Sequence, residues 1–227
     1  VEDGEVVSII GPSGCGKSTL LNLASGLDRP SAGEIYVDGE LVQGPSSHVA
    51  FMLQKDLLLP WRSIEENVEL GLEIQCVDKS ERRARGHRLL AQCHIGGFEK
   101  HYPHQLSGGM RQRAALARTL AMEPDVILLD EPFSAVDAQT KMVLQGDFAE
   151  TMSKTEKTAV FITHDLMEAV TLSDRVLVMS QRPGMIVKEM AIDMADRDNP
   201  LQRQKDETVG SYVGQLMEEL NIDDARI

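Results

Sequence analysis

Short apolar runs alternate along this chain with stretches whose apolar positions recur every three or four residues. The run from Val6 to Ile10 reads as a short buried strand, and Leu20, Leu21 and Leu23 then begin a helical pattern. Glu34, Ile35, Tyr36 and Val37 alternate and close on Asp38-Gly39, the signal of a hairpin turn. Val49, Ala50, Phe51, Met52 and Leu53 form a further strand, halted by Gln54. Residues 55–62 are apolar but carry Pro60 before Trp61, which predicts a loop. Ser63 and Glu66 make a capping box that opens an amphipathic helix through Val68, Leu70 and Leu72. Asp78 with Glu81 caps another helix running toward Leu90.

Gly96-Gly97 breaks that pattern, and Leu106, Ser107, Gly108 and Gly109 open a new helix. Ala114, Ala115, Ala117, Leu120 and Ala121 give it a buried face of mostly small residues, and Pro124 stops it. The continuous run Val126, Ile127, Leu128, Leu129 is expected in the middle of a parallel sheet, and it ends in Asp130-Glu131-Pro132. A helix from about Ala138 follows, then a strand from Ala159 to Ile162 ending in Thr163-His164-Asp165. A helix through Met167, Ala169 and Val170 leads to a strand at Val176, Leu177, Val178 and Met179, and Ile186 with Val187 suggests a last strand. Residues 200–220 read as one charged, partly amphipathic helix. This alternation predicts an α/β architecture, a parallel sheet with covering helices.

The chemistry concentrates where strands end. Gly11, Pro12, Ser13, Gly14, Cys15, Gly16, Lys17, Ser18 and Thr19 fit the phosphate-binding pattern G-x-x-x-x-G-K-[ST], in the strand-then-helix setting that pattern requires. Its glycines let backbone N–H groups converge on phosphate oxygens, and the following helix turns its positive end to the same anion. Lys17 is expected to reach the β- and γ-phosphates of a nucleotide, and the Ser18 hydroxyl to take one Mg²⁺ position. Ligands of open parallel sheets gather beyond the carboxyl ends of the strands. There Asp130 suits a Mg²⁺-positioning group acting through water. Glu131, one residue on, is displaced toward the γ-phosphate as the base for the attacking water. His164 is expected to sense the γ-phosphate, hydrogen-bonded to it or to Glu131, and the Gln54 amide to meet both Mg²⁺ and that water.

Size, charge and cysteines narrow the picture. The 227 residues suit one α/β domain with a helical insertion. No window approaches about 18 continuous apolar residues, so no membrane span is expected. No signal peptide is evident, and a start at Val1 in place of Met leads us to expect an upstream segment. Cys15, Cys76 and Cys93 are odd in number and lack metal-like spacing, so reduced thiols are expected, with Cys15 as small filler in the loop. The net charge of −13 argues against nucleic acid or anionic lipid as the main partner. Arg82, Arg83, Arg85 and Arg88 form one basic cluster, read as a solvated helix face.

Leu106-Ser107-Gly108-Gly109-Met110-Arg111-Gln112-Arg113, together with the motifs above in their order, resembles the ATPase subunit of an ABC transporter over nearly the whole chain. The resemblance implies a P-loop NTPase fold with a mostly parallel central sheet, a small antiparallel β subdomain that is N-terminally incomplete, and a helical signature subdomain. It divides one ABC ATPase domain, 1–227, into a nucleotide-binding core (1–54 and 124–199), a helical insertion (55–123) and a C-terminal helix (200–227). It implies that ATP with Mg²⁺ is sandwiched between two subunits, the phosphate loop of one closed by Ser107, Gly108 and Gly109 of the other. Asp137, in the D-loop Ser134-Ala135-Val136-Asp137, would lie at that interface. Residues 54–63 resemble the surface that grips a membrane permease, with Trp61 either a contact there or a core anchor.

Leu59-Pro60-Trp61, Tyr102-Pro103-His104-Gln105 and Arg182-Pro183-Gly184-Met185-Ile186 are similar to ATPases of nitrate, taurine and alkanesulfonate importers. That group is bacterial, fed by substrate-binding proteins, and works at the cytoplasmic face of the cell membrane. An aromatic residue that stacks on adenine in the family is expected upstream of Val1. The competing readings are an ABC ATPase of another transporter class, importer or exporter, and a soluble ABC-type ATPase acting on DNA or ribosomes; the acidic charge disfavours the second. Nor is there a coiled coil in the roughly ninety residues between Thr19 and Leu106.

Overall fold

The computed structural model describes residues 1–155 and 157–220. Its centre is a six-stranded sheet in the order β4-β5-β6-β1-β7-β8. The strands are β1 (Val6–Ile10), β4 (Val49–Met52), β5 (Val126–Asp130), β6 (Thr158–Ile162), β7 (Arg175–Met179) and β8 (Ile186–Ala191). Neighbours from β4 through β7 pair in parallel, while β8 returns antiparallel to β7. That last strand fits the mostly parallel sheet that the resemblance implied: residues 180–185 make a tight turn, so the chain reverses without a crossover helix. β1 is buried at every position, as a central strand covered on both faces must be. A separate hairpin of β2 (Tyr36–Val37) and β3 (Glu40–Leu41) turns on Asp38 and Gly39, both at positive φ (50° and 74°), the conformation Asp-Gly favours.

Register brings the strand ends to one level. Met52 lies opposite Leu129, Asp130 opposite Ile162, Ile162 opposite Ile9, and Ile10 opposite Val178. The segments that follow β4, β5, β6, β1 and β7 therefore emerge side by side along one rim.

Helix α1 (Lys17–Ala24) follows β1 directly, and α2 (Ile64–Val68), α3 (Leu70–Ile74), α4 (Lys79–Gln92) and α5 (Gly108–Ala121) occupy the stretch between β4 and β5. The capping box forms as expected, with Ser63 accepting from the Glu66 N–H and the Glu66 carboxylate accepting from the Ser63 N–H. The single helix expected after it is broken into α2 and α3 at Glu69, whose carboxylate accepts from Arg82 Nε at 3.1 Å. The arginine cluster is more than a solvated face: Arg82 and Arg83 pair with Glu69 and Glu65 of the preceding segment, Arg85 pairs with Glu81 within α4, and Arg88 stays exposed. These helices share one core with the sheet, in which Met52, Leu129 and Phe161 pack with Ile64, Val68, Leu72, Leu90, Ala114 and Ala117. Each large side chain buried there contributes about 1.5–3 kcal/mol, so the insertion and the sheet are held by the same apolar contacts.

Helices α6 (Ala138–Thr155) and α7 (Leu166–Leu172) follow β5 and β6. The C-terminal stretch is not one helix but two, α8 (Pro200–Arg203) and α9 (Val209–Glu219). Asp206 lies between them, its carboxylate accepting from the N–H and hydroxyl of Thr208 in a local turn that leads into α9. Residues 221–227 of the expected helix lie outside the described residues.

Candidate active site

The loop after β1 wraps around a lysine. Lys17 Nζ donates to the carbonyls of Gly11 and Pro12 at 2.7 and 2.9 Å, and Gly16 caps α1 at φ 113°, a conformation open to glycine. Ser13, Gly14, Cys15, Gly16, Lys17, Ser18 and Thr19 line a cavity of about 510 Å³ together with Gln54, Asp130, Glu131, Ile162 and Arg182. Thus the loop, the residue after β4 and the end of β5, far apart in sequence, meet at one rim. Cys15 is buried with Ile9, Leu21 and Met179, in keeping with a small filler.

Asp130 is only 5% exposed. Burial pushes its carboxyl above the ordinary carboxylate range; a hydrogen bond from Ser18 and the Lys17 charge oppose the shift, and the Glu131 charge adds to it. The oxygen donors of Ser18, Gln54 and Asp130 form a hard ligand set, the chemistry Mg²⁺ prefers, and a buried carboxylate gains most from such a cation.

Glu131 sits at φ 51°, rare for a residue other than glycine. Three contacts hold that turn: its N–H donates to the Ile162 carbonyl at 3.0 Å, and its own carbonyl accepts from the Ser134 hydroxyl at 3.0 Å and the Ser134 N–H at 3.3 Å. Backbone strain of this kind persists only where neighbours over-determine it, and it collects at functional sites. His164, exposed at the end of β6, brings Nδ1 to 3.6 Å from Glu131 Oε2, a contact longer than a hydrogen bond.

The signature residues stand elsewhere on the chain. Ser107 caps α5, its hydroxyl accepting from the Met110 N–H at 3.3 Å, and Gly109 meets the D-loop so closely that a Cβ there would lie 3.0 Å from the Ala135 carbonyl oxygen. Ser107 and Gly108 are exposed, and among the described residues the signature does not line the phosphate cavity. Asp137 caps α6, accepting from the Thr140 N–H at 3.0 Å; that backbone bond holds its carboxyl below the usual range.

The ABC transporter profile matches residues 1–134. The chain belongs to the ABC transporter family. This cassette is 43% identical over 222 residues to an ABC transporter ATP-binding protein of Methanocaldococcus jannaschii, MJ0412, covering 98% of this chain and 80% of that one. It is 43% identical over 197 residues to the taurine import ATP-binding protein TauB of Yersinia pestis bv. Antiqua, covering 87% and 77%. Its fold resembles a dimeric post-hydrolysis structure of the ATP-binding cassette MJ0796 bound to ADP and Pi, at 34% identity and a TM-score of 0.79, over 86% of this chain and 88% of that one. The cassette is therefore an ATP-binding ATPase of the ABC type.

Sequence reasoning missed several groups around this site. Arg182 lines the cavity, yet only the adjacency of β7 and β1 puts it there. Gln112, buried in α5, directs its amide toward the Glu131 carbonyl at 3.5 Å. Behind His164, Glu168 accepts from Gln145 at 2.7 Å and from the Thr163 hydroxyl, while Lys141 Nζ bonds Asp165 at 2.8 Å. A Glu in the first turn of the helix after a strand end, among apolar positions, was the one local signal, since a buried acid needs a partner.

Proposed function

We propose that this cassette hydrolyses ATP as half of a face-to-face pair and drives import through separate membrane subunits. The observation that carries the reading is the division of parts within one chain. The phosphate loop, Gln54, Asp130 and Glu131 share a cavity, whereas Ser107, Gly108 and Gly109 present a second helix N-terminus on another surface. A second copy turned to face the first would lay that N-terminus over the γ-phosphate, with Asp137 beside it. The dimeric cassettes that this fold resembles support the arrangement.

In this reading Gly11, Pro12, Ser13, Gly14, Cys15, Gly16, Lys17 and Thr19 enclose the phosphates, and Ser18, Gln54 and Asp130 hold Mg²⁺, Asp130 through water. The bound ion would neutralise charge across the β- and γ-phosphates. Glu131 takes the proton of the attacking water, and His164 contacts the γ-phosphate from the adjoining strand end. The left-handed turn at Glu131, held by its backbone contacts, fixes the direction in which this side chain leaves the strand end.

The likeness to a taurine import protein supports a small anion such as taurine, nitrate or a sulfonate as cargo, delivered by a substrate-binding protein to a permease at the cytoplasmic face of the cell membrane. No helix among the described residues is long and apolar enough to cross a membrane, so the pathway would come from partner subunits. Residues 54–63 are the proposed grip. Trp61 is 71% exposed and Leu57 52% exposed, so Trp61 does not anchor the core of this chain and is free to meet a partner. Arg118 donates to the carbonyls of Asp56 and Leu57 at 2.7 and 2.9 Å, tying that surface to the signature helix α5.

Steady-state hydrolysis of wild type and Glu131→Gln tests the reading. Loss of a positioned base slows turnover by roughly 10²–10⁴-fold and leaves an ATP-bound dimer that gel filtration resolves. Wild-type turnover by the variant removes Glu131 from its role.

A further inference from the structure

The turn between β7 and β8 is seated on the phosphate loop. Arg182 Nε donates to the Gly14 carbonyl at 2.6 Å, and two residues later Gly184 approaches the loop so closely that a Cβ would lie 2.0 Å from the Cys15 carbonyl oxygen. The turn is braced from within: the Ser180 N–H donates to the Met185 carbonyl at 2.9 Å, and the Ser180 hydroxyl accepts from the Met185 N–H at 3.1 Å. Two successive peptide units of the loop, at Gly14 and Cys15, thus rest on one structured support.

Charge gives Arg182 a second use. The side chains lining the cavity include two carboxylates, Asp130 and Glu131, and two cations, Lys17 and Arg182. Lys17 is engaged by the carbonyls of Gly11 and Pro12. With Arg182 removed, the fixed charges around an incoming polyphosphate would sum to a net negative value on a chain that already carries −13. An arginine that anchors through Nε keeps its terminal N–H groups for a bidentate bond to phosphate oxygens.

We propose that Arg182 is a nucleotide-positioning residue: it fixes the Gly14 peptide of the phosphate loop through Nε and offers its remaining donors to the phosphates. This rests on the nucleotide-binding reading of the cavity. It predicts weaker nucleotide binding, and a raised KM at nearly unchanged kcat, when the guanidinium is lost, because the contact serves ground and transition states alike.

The test is calorimetric binding of MgADP to wild type, Arg182→Gln, Arg182→Lys and Lys17→Ala, with melting curves with and without nucleotide. Arg182 is exposed, so both of its variants should fold and, without nucleotide, melt within a few degrees of wild type, the loss of one surface hydrogen bond at most. We expect Arg182→Gln to bind MgADP roughly tenfold more weakly, the worth of one charge-assisted hydrogen bond, with a matching loss of the nucleotide-induced rise in melting temperature. Arg182→Lys should recover part of that loss. Binding by Arg182→Gln within about twofold of wild type, the range of a neutral surface substitution, overturns the proposal if Lys17→Ala still fails to bind. If wild type itself takes up no MgADP, the nucleotide reading falls first, and this inference with it.

Discussion

At Glu131 the chain accepts a left-handed backbone, and at Asp130 it accepts a buried carboxylate whose charged form burial disfavours. Both costs fall on adjacent residues at the end of β5, where a site that binds a cation and aims a base would need them. For Asp130 the sign is definite. Its folded pKa lies above the unfolded value, so it favours folding at low pH, and that contribution is lost as pH rises through the folded value. Asp130→Asn should therefore raise the melting temperature of the ligand-free protein at pH 7, with the gain vanishing in acid below the ordinary carboxylate range. Mg²⁺-dependent hydrolysis should be lost in the same variant, and a fall in melting temperature at pH 7 would contradict the account. At this scale the phosphate loop was legible because its constraints are local: a strand, glycines and a lysine in fixed spacing. Arg182 was not, because its role depends on which strands are neighbours. The contact between His164 and Glu131, expected as a hydrogen bond if not made to phosphate, is a longer approach of 3.6 Å.

Between elements, α6 and the start of α7 are joined behind His164 by Lys141. Its Nζ lies 2.8 Å from Asp165 Oδ2 and 3.3 Å from Glu168 Oε1. Burial raises the Asp165 pKa, but the bond from Lys141 and the N–H groups of Glu168 and Met167 outweigh it, so the net shift is downward. Burial also acts to lower the Lys141 pKa, and its two acidic partners more than reverse that. The depressed carboxyl stabilises the fold above its unfolded pKa and is lost as pH falls through the folded one; the raised lysine stabilises below its unfolded pKa and is lost as pH rises through its folded one. Lys141→Met should cost about 2 kcal/mol near pH 7, the penalty for a buried charged acceptor short of a donor. In urea titrations that deficit should shrink in acid, and Lys141→Arg should restore most of it. A deficit independent of pH would show that packing, not charge, makes the link. Helix starts at Ser63 and Ser107 were readable from their caps, whereas the one-residue break at Glu69, which keeps helical torsions, carries no local signal. The two-helix C-terminus escaped the hydropathy pattern because its interruption is polar, with an Asp206–Thr208 turn just before α9.

The whole molecule displays one phosphate cavity and, on a different surface, a serine-capped helix start braced by the D-loop through the contact of Gly109 with Ala135. Order of motifs and strand alternation made the fold class readable, because a parallel sheet confines its strand-end residues to one rim. What no single chain can display is the pairing. Disulfide formation between Ser13→Cys and Ser107→Cys on separate chains measures it most directly, with exposed Cys76 replaced by serine. Cys93, buried and with its thiol pushed up to about 12, stays inert. Mixed with ATP and Mg²⁺ in the Glu131→Gln background, the two proteins, each keeping buried Cys15 and Cys93 beside its introduced cysteine, should give a crosslinked heterodimer that forms far more slowly without nucleotide. Absence of any crosslink between chains under those conditions would contradict the shared-nucleotide arrangement.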